Sequence, residues 1–337
     1  MTEFRLHGAN PEKLYALFGI AAPEKISDFS TNTNAVPQRP GFTPDITAAV
    51  EDYPDDECTE LRAALSQLYG VPEKNILVTS GANEAIYLLA SYTAQLTNTI
   101  LEPVYGEYRR ALEGFDARIE RTFDLEKAKL TRGGCLWLCN PDNPTGAFIP
   151  DEKIADIAES APETLFIIDE AYRDFIWTDE KLAPLAIRPN TVHLRSLTKT
   201  YNLCGARVGC VIADEEMIKK LKKRQPCWSV SGLAQQAALY YIEDGTILER
   251  TKKYYAEEMP RLIAAVREAG FETLPTCVNY FLMRTDDDEK LIKYLLERGI
   301  VVRHTRNFAG IDGRCVRIAA RTPEDDDLLA AALKEYK

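Results

Sequence analysis

Short apolar runs alternate with helix-spaced apolar residues through the middle of the chain. Residues 58–70 (CTELRAALSQLYG) carry leucine and alanine at helical intervals and stop on a glycine, as an amphipathic helix does. NILVTSG (75–81) is a short apolar strand running into a turn, and the helical ANEAIYLLASYTAQL follows it. The alternation continues through TILEP (99–103), the helical YGEYRRALEGF, GCLWLCNP (134–141), a helix over 151–160 and TLFIIDEAY (164–172). TVHLRSLTKT (191–200) and ARVGCVIA (206–213) read as two further strands. Strands alternating with helices predict an α/β fold, a mostly parallel central sheet with helices on both faces.

Beyond about Ser231 the pattern changes. It predicts one long charged helix from Gly232 to Gly270, kinked at Pro260. After it come NYFLMRT, a helix near 289–298, GIVVRHT, CVRIAART and a closing helix. Together these predict a smaller α+β C-terminal domain. The first forty residues are rich in Pro, Asn and Gly without sustained periodicity, which suits an arm laid across other structure. The expected division is an N-terminal arm over 1–40 packing with the small domain, a large domain over 41–245 and a small domain over 246–337. A chain of 337 residues is long enough to bury two such cores.

Charge and composition remove several classes of function. A net charge of -11 works against nucleic acid, whose phosphates need a basic face. No stretch reaches 18 consecutive apolar residues, and MTEFRLHGANPEK lacks the layout of a signal peptide, so neither a membrane nor export is expected and the location is expected to be cytoplasmic. The eight cysteines are scattered among apolar neighbours, and His7, His193 and His304 are the only histidines; no metal site is expected. No GxxxxGK[ST], GxGxxG after a strand, GxSxG or HExxH occurs.

The remaining chemistry falls at strand ends, where open α/β sheets bind ligands. Thr79 to Glu84 join a strand to a helix with small residues whose N–H groups could meet an anion, although a serine-capped helix explains them as well. NPDNPTG (140–146) is a rigid turn that could present Asn143, or a turn and nothing more. FIIDEAY ends an apolar strand on Asp169, whose charge needs a cationic partner, a metal or a helix to cap. LRSLTKTY sets Lys199 among hydroxyls after a strand, where an enclosed amine can lose its proton, while a surface lysine is the ordinary alternative.

Taken in order, the SGANEA turn, Tyr105, NPDNPTG, DEAY, SLTK and GARVG resemble the fold-type I pyridoxal 5′-phosphate (PLP) enzymes of the aminotransferase class I/II superfamily, over nearly the whole chain. The resemblance implies that Lys199 carries the cofactor as a Schiff base and later moves the substrate's Cα proton. Asp169 would pair with the pyridinium nitrogen. Asn143 and Tyr172 would hydrogen-bond the ring's 3′ oxygen, and Tyr105 would stack on the ring. The phosphate would lie among the N–H groups of Gly81, Ala82 and Asn83, the hydroxyls of Ser196 and Thr198, and Arg207. In the family a tyrosine of a YPD motif reaches the cofactor phosphate of a partner subunit. Tyr53 in DYPDDE stands at that place, which implies a homodimer.

The C-terminal arginines bear on the substrate. By the same resemblance Arg317, opening the last strand, would bind the substrate α-carboxylate. Arg303 and Arg321 are further candidates to face the cleft, and two or more converging arginines suit a second anion such as phosphate; surface salt bridges are the alternative. Two branches of the family use phosphorylated substrates, the histidinol-phosphate aminotransferases and the L-threonine-O-3-phosphate decarboxylases. RLHGANPEK, DFSTNTNAVP and HTRNFAGIDGRCVRIAART resemble the decarboxylases, and by that analogy His7, Asn32 and Arg303 would touch the substrate phosphate. Ala9 and Ala35-Val36-Pro37 depart from that branch's pattern. The expected function is therefore decarboxylation of L-threonine O-3-phosphate to 1-aminopropan-2-yl phosphate, a cobalamin-type reaction. Transamination of histidinol phosphate is the alternative. A non-catalytic regulator of the same fold is disfavoured by the acidic chain and the early start of the cofactor fold.

Overall fold

The structure, a computed structural model, describes residues 8–128, 130 and 132–336. Seven strands form the central sheet: β1 (Ile76–Thr79), β2 (Thr97–Leu101), β3 (Arg118–Thr122), β4 (Cys135–Cys139), β5 (Leu165–Asp169), β6 (Thr191–Ser196) and β7 (Gly209–Ala213). Their spatial order is β1-β7-β6-β5-β4-β2-β3. All neighbours run parallel except β7, which is antiparallel to both β6 and β1. The mostly parallel α/β fold expected from the pattern is the one observed.

Every residue of β4, β5 and β7 is buried, because helices cover both faces of the sheet and each side chain meets a core. Alternation sorts them by face. Trp137 and Ile167 join Leu77, Leu89 and Val211 on one side, while Leu138 and Ile168 pack with Ile154 on the other. The edge strand β3 has no counterpart in the expectations. RIERT has one apolar residue, Ile119, among four polar ones, and an edge paired only with β2 needs no continuous apolar run.

Three expected boundaries move for local reasons. β6 ends at Ser196, and Leu197–Thr200 forms a helical turn, so Lys199 lies just past the strand. β7 starts at Gly209 and not at Ala206, because Arg207 sits at φ +61, a left-handed conformation no strand accommodates. The long helix is two helices, Gly232–Ile242 and Ile247–Glu268. The Asp244-Gly245 step breaks it, with the Asp244 carboxylate accepting from the Thr246 N–H at 3.2 Å and hydroxyl at 2.7 Å, the local capture that favours turns. Pro260 stands inside the second helix.

A second, antiparallel sheet contains β8 (Tyr280–Arg284), β9 (Arg303–His304) and β10 (Cys315–Ala319), in the order β9-β10-β8. The N-terminal segment is tied to it. Ser27–Asp28 pairs in parallel with Ile300–Val301, and the Ala319 N–H donates to the Phe29 carbonyl at 3.0 Å. Tyr15 and Phe29 are buried with Val301 and Ile318 in one apolar cluster. That docking carries residues 30–34 across the carboxyl ends of the central strands. There Asn34 donates to the Thr200 carbonyl at 3.0 Å and its backbone N–H to the Lys199 carbonyl at 3.2 Å.

Candidate active site

The carboxyl ends of β1, β4, β5 and β6 open onto a cavity of about 170 Å³. Ala82 and Asn83 reach it from the first turn of α1 (Gly81–Thr93), and Asn143 from the loop beyond β4. Asp169 and Tyr172 line it at the end of β5, Ser196, Thr198 and Lys199 at the end of β6, and Tyr105 and Arg207 complete the wall. Gly81 is not in that wall, yet it makes room for it: a Cβ there would lie 2.7 Å from the Arg207 guanidinium. Ser80 makes no side-chain cap, so the first N–H groups of α1 are not taken by a capping hydroxyl and can meet an anion. The Ser196 and Thr198 hydroxyls lie 2.6 Å apart beside it.

Two ionisable groups in this cavity are shifted in ways that suit a cationic ring carrying an aldehyde. Burial lowers the Lys199 amine, with Arg317 and Arg207 pushing it further down, which favours the neutral, nucleophilic form. Burial raises Asp169 to about 6, against hydrogen bonds from the Tyr108 hydroxyl at 2.7 Å and the Ala171 N–H at 3.0 Å. Among the described residues Asp169 has no ion-pair partner. Its neighbour Glu170 differs in that respect: Arg195, Arg173 and His193 lie 3.2 to 3.3 Å from its oxygens. They hold it at about 2 in spite of burial. An acid buried without a cation on the cavity side, facing an amine that sheds its proton, fits pyridoxal 5′-phosphate. Asp169 would take the ring nitrogen, Lys199 the aldehyde carbon, and the α1 turn with Ser196, Thr198 and Arg207 the phosphate.

A second cavity of about 340 Å³ adjoins the first and shares Tyr105, Asn143, Tyr172, Lys199 and Arg207 with it. Asn32, Arg303, Phe308 and Arg317 line its remainder. Arg317 donates to Asn143 Oδ1 and, at 2.9 Å, to the Ser30 carbonyl; among the described residues no acid pairs with it. Arg303 donates to Asn307 at 2.8 Å and lies over the Phe308 ring. Burial and the nearby Arg317 push its guanidinium down to about 9. Asn32 donates to the Tyr172 hydroxyl at 3.3 Å, while among the described residues its own buried Oδ1 has no partner. This cavity is built to receive negative charge.

Of the expected residues, Arg321 is not brought to this site. Arg321 donates to the Thr33 hydroxyl at 2.9 Å and lines neither cavity. β10 ends at Ala319, so the alternation that points Arg317 inward no longer governs residue 321. Tyr53 is 79% exposed and packs on Trp228, 4.6 Å between ring centroids, away from this chain's own cavity. His7 lies outside the described residues, although Gly8 and Ala9 line the second cavity. The pattern did not single out Tyr108, Asn307 or Phe308. Tyr108 repeats Tyr105 at helical spacing and reads as core; the NF of TRNF, three residues before a glycine, reads as loop. No three or more His, Cys, Asp or Glu residues cluster to hold a metal among the described residues, and no helix there is long and apolar enough to cross a membrane.

The profile of the aminotransferase class I and II family matches residues 44–333. The chain belongs to this family and is a pyridoxal 5′-phosphate-dependent enzyme. Among characterised proteins it is 32% identical to the threonine-phosphate decarboxylase of Salmonella typhimurium, covering 97% of this chain and 95% of that one. It is 30% identical to the histidinol-phosphate aminotransferase of Caldanaerobacter subterraneus, over 85% and 84% of the two chains. The crystal structure of L-threonine-O-3-phosphate decarboxylase from Porphyromonas gingivalis superposes with a TM-score of 0.80 at 25% identity, over 92% and 98%. Both reaction types thus stand among its relatives at similar distance.

Proposed function

We propose that this enzyme decarboxylates L-threonine O-3-phosphate to 1-aminopropan-2-yl phosphate. The observation that carries the reading is the register of the second sheet. Arg303 and Arg317 are direct cross-strand partners, both almost fully buried, so their guanidinium groups leave neighbouring points on one face. Cross-strand partners stand about 4.5–5.5 Å apart, which suits two anions on adjacent carbons, as the carboxylate and phosphate of this substrate are. Similarity to the Salmonella decarboxylase over nearly the full length of both chains supports it.

In this reading Arg317 takes the carboxylate and Arg303 and Asn32 the phosphate, with His7 as a further phosphate ligand. Tyr105 stacks on the cofactor ring, Asn143 and Tyr172 hold its 3′ oxygen, and Asp169 keeps its nitrogen protonated. The ring, when bound, accepts the electron pair of whichever Cα bond breaks. Here that bond would be the one to the carboxylate: CO2 departs, and Cα takes one proton in its place, delivered by Lys199 in its ammonium form, which becomes the neutral amine. Tyr53, exposed on its own chain, reaches the cofactor phosphate of a second copy in a cytoplasmic homodimer.

Histidinol-phosphate transamination is the second reading, supported by the 30% identity to the Caldanaerobacter enzyme and by the same arginine pair, one of which would take that substrate's phosphate. One assay separates them. Incubation with O-phospho-L-threonine alone is expected to release CO2 without a keto acid. A strict requirement for 2-oxoglutarate, with no CO2, would overturn the first reading in favour of the second.

A further inference from the structure

We propose that Tyr108 is a positioning residue of the cofactor site, whose hydroxyl, donated to Asp169 Oδ2 at 2.7 Å, keeps that carboxylate ionised and aimed at the cofactor's ring nitrogen. The proposal rests on the cofactor assignment and on no particular substrate.

Tyr108 lies in the first turn of α2 (Glu107–Gly114), three residues after Tyr105. Tyr105 stands just ahead of the helix and lines the cavity wall, and Tyr108 packs behind it, outside that wall. Tyr108 is 1% exposed. It meets the Tyr105 ring edge-on at 6.0 Å and the Trp137 ring at 5.8 Å, so its phenol is held in one orientation. A buried tyrosine hydroxyl requires a partner, and this one is spent on the acid of the cofactor site.

The surroundings of Asp169 show why this donor matters. The groups facing it are Tyr108, Tyr105 just ahead of α2, Cys139 on β4 and Glu170, the next residue beyond the end of β5. Burial keeps the Cys139 thiol and both phenols protonated, and Glu170 is a like charge. The Ala171 N–H occupies Oδ1. Tyr108 is thus the one side chain among the described residues that donates a hydrogen bond to Asp169. A bond to the charged form favours that form. Without it the carboxylate becomes more basic and draws the proton off the ring nitrogen, and an uncharged pyridine is a poorer electron sink. Tyr105 and Tyr108 would act on the ring from two directions, one from its face and one through its nitrogen.

The test uses the free protein first. With 13C-labelled aspartate, and Asp169 identified by its absence in Asp169→Asn, the carboxyl titration of Tyr108→Phe is expected to be centred about one pH unit above that of wild type, a tenfold weaker acid. Cofactor labelled with 15N in its ring is then added to both, and the ring nitrogen in Tyr108→Phe is expected to shift toward the unprotonated value. Should Tyr108→Phe fail to fold, fluorotyrosine at position 108 keeps the ring and strengthens the donor, and the Asp169 midpoint is expected to fall. An Asp169 midpoint that is the same in wild type and variant overturns the proposal, as does an unchanged ring-nitrogen signal. Failure of the cofactor to bind wild type would overturn the cofactor assignment instead, since the titration of the free protein does not depend on it.

Discussion

Replacing Arg303 with Met is expected to do two opposite things: stabilise the free protein and weaken a phosphorylated ligand. Arg303 is 3% exposed and Arg317 6%, and burial with this like charge pushes the Arg303 guanidinium from 12.5 to about 9. At about 1.36 kcal/mol per pH unit, that is a cost on the order of 4–5 kcal/mol for keeping the group charged at neutral pH. Water entering the cavity and loop relaxation reduce what is measured, and exchanging buried charge for apolar side chains gains about 1–4 kcal/mol in practice. The expected gain for Arg303→Met is about 1–3 kcal/mol. The base has a depressed value in the fold, so its cost is complete below about 9 and fades only as pH rises toward 12.5; the gain should be level from about pH 6 to 8. For the ligand the sign reverses. Removing one partner of a buried charge pair costs about 2–5 kcal/mol, at least about thirtyfold in affinity. Urea unfolding of the free protein gives the first quantity, and calorimetric titration with O-phospho-L-threonine and with L-threonine the second. A less stable variant, or equal weakening of both ligands, would refute the reasoning.

Three further outcomes are expected. Lys199→Ala should fold, bind the cofactor without a covalent bond and lose turnover; borohydride should fix the cofactor to wild type but not to the variant, and a fixed label on Lys199→Ala would remove this lysine from the mechanism. Asp169, raised to about 6 by burial, contributes stability that is complete below its unfolded value of 3.8 and lost as pH rises through about 6. The stability of the free wild type relative to Asp169→Asn should therefore fall between about pH 4 and 7, and bound cofactor should reverse the difference near pH 7, which calorimetric melting can follow; a flat difference would contradict the buried, unpaired acid. Gly209→Ala would place a Cβ 2.7 Å from the Arg195 carbonyl and 3.0 Å from the Ala82 nitrogen. Overpacking of this kind costs about 1–3 kcal/mol, and if Ala82 belongs to the turn that holds the phosphate, as proposed, cofactor affinity should drop along with the melting temperature. A loss of stability with intact affinity would separate that glycine from the phosphate site.

What could be read from the chain differs between the two ends of the site for physical reasons. The cofactor half is written in short contiguous runs, each a buried strand followed by a polar turn. FIID ends on Asp169, and LRS followed by LTK ends on Lys199; each run alone leaves a helix cap or a surface lysine open, and their order along the chain, through the family resemblance, chooses between the readings. Tyr108 is invisible to the same reading because an aromatic on the buried face of an amphipathic helix has the signature of core, and only the three-dimensional approach of α2 to β5 gives its hydroxyl a partner. Arg317 and Arg321 look equivalent along the chain. They part because the strand ends between them, and Thr33, from a segment 288 positions away, collects the second. The break between Gly232–Ile242 and Ile247–Glu268 falls at Asp244-Gly245, a turn dipeptide that the reading of one continuous helix passes over. β3 carried no apolar run because an edge needs none.

The arginine pair bears on the choice of reaction as well as on affinity. Cα carries three substituents besides nitrogen, and holding two of them fixes the third. If Arg317 holds the carboxylate and Arg303 the phosphate-bearing arm, the rotation of Cα against the cofactor ring is set by two side chains whose strands are locked in register at Arg303↔Arg317. Arg317 is further anchored to Asn143, which lies in the cofactor cavity, so the carboxylate anchor and the ring share a support. With the cofactor bound, the bond that breaks would be the one held perpendicular to its ring, and a preference of about 1.4 kcal/mol between two rotations already changes their ratio tenfold. Arg303→Met removes one of the two anchors and should relax that rotation. Its residual reaction with O-phospho-L-threonine should then show more exchange of the Cα proton with solvent relative to CO2 released, measured by deuterium incorporation and gas evolution in one sample. A ratio equal to that of wild type would mean that Arg303 supplies affinity alone, and that the rotation is set at the Arg317–Asn143 end.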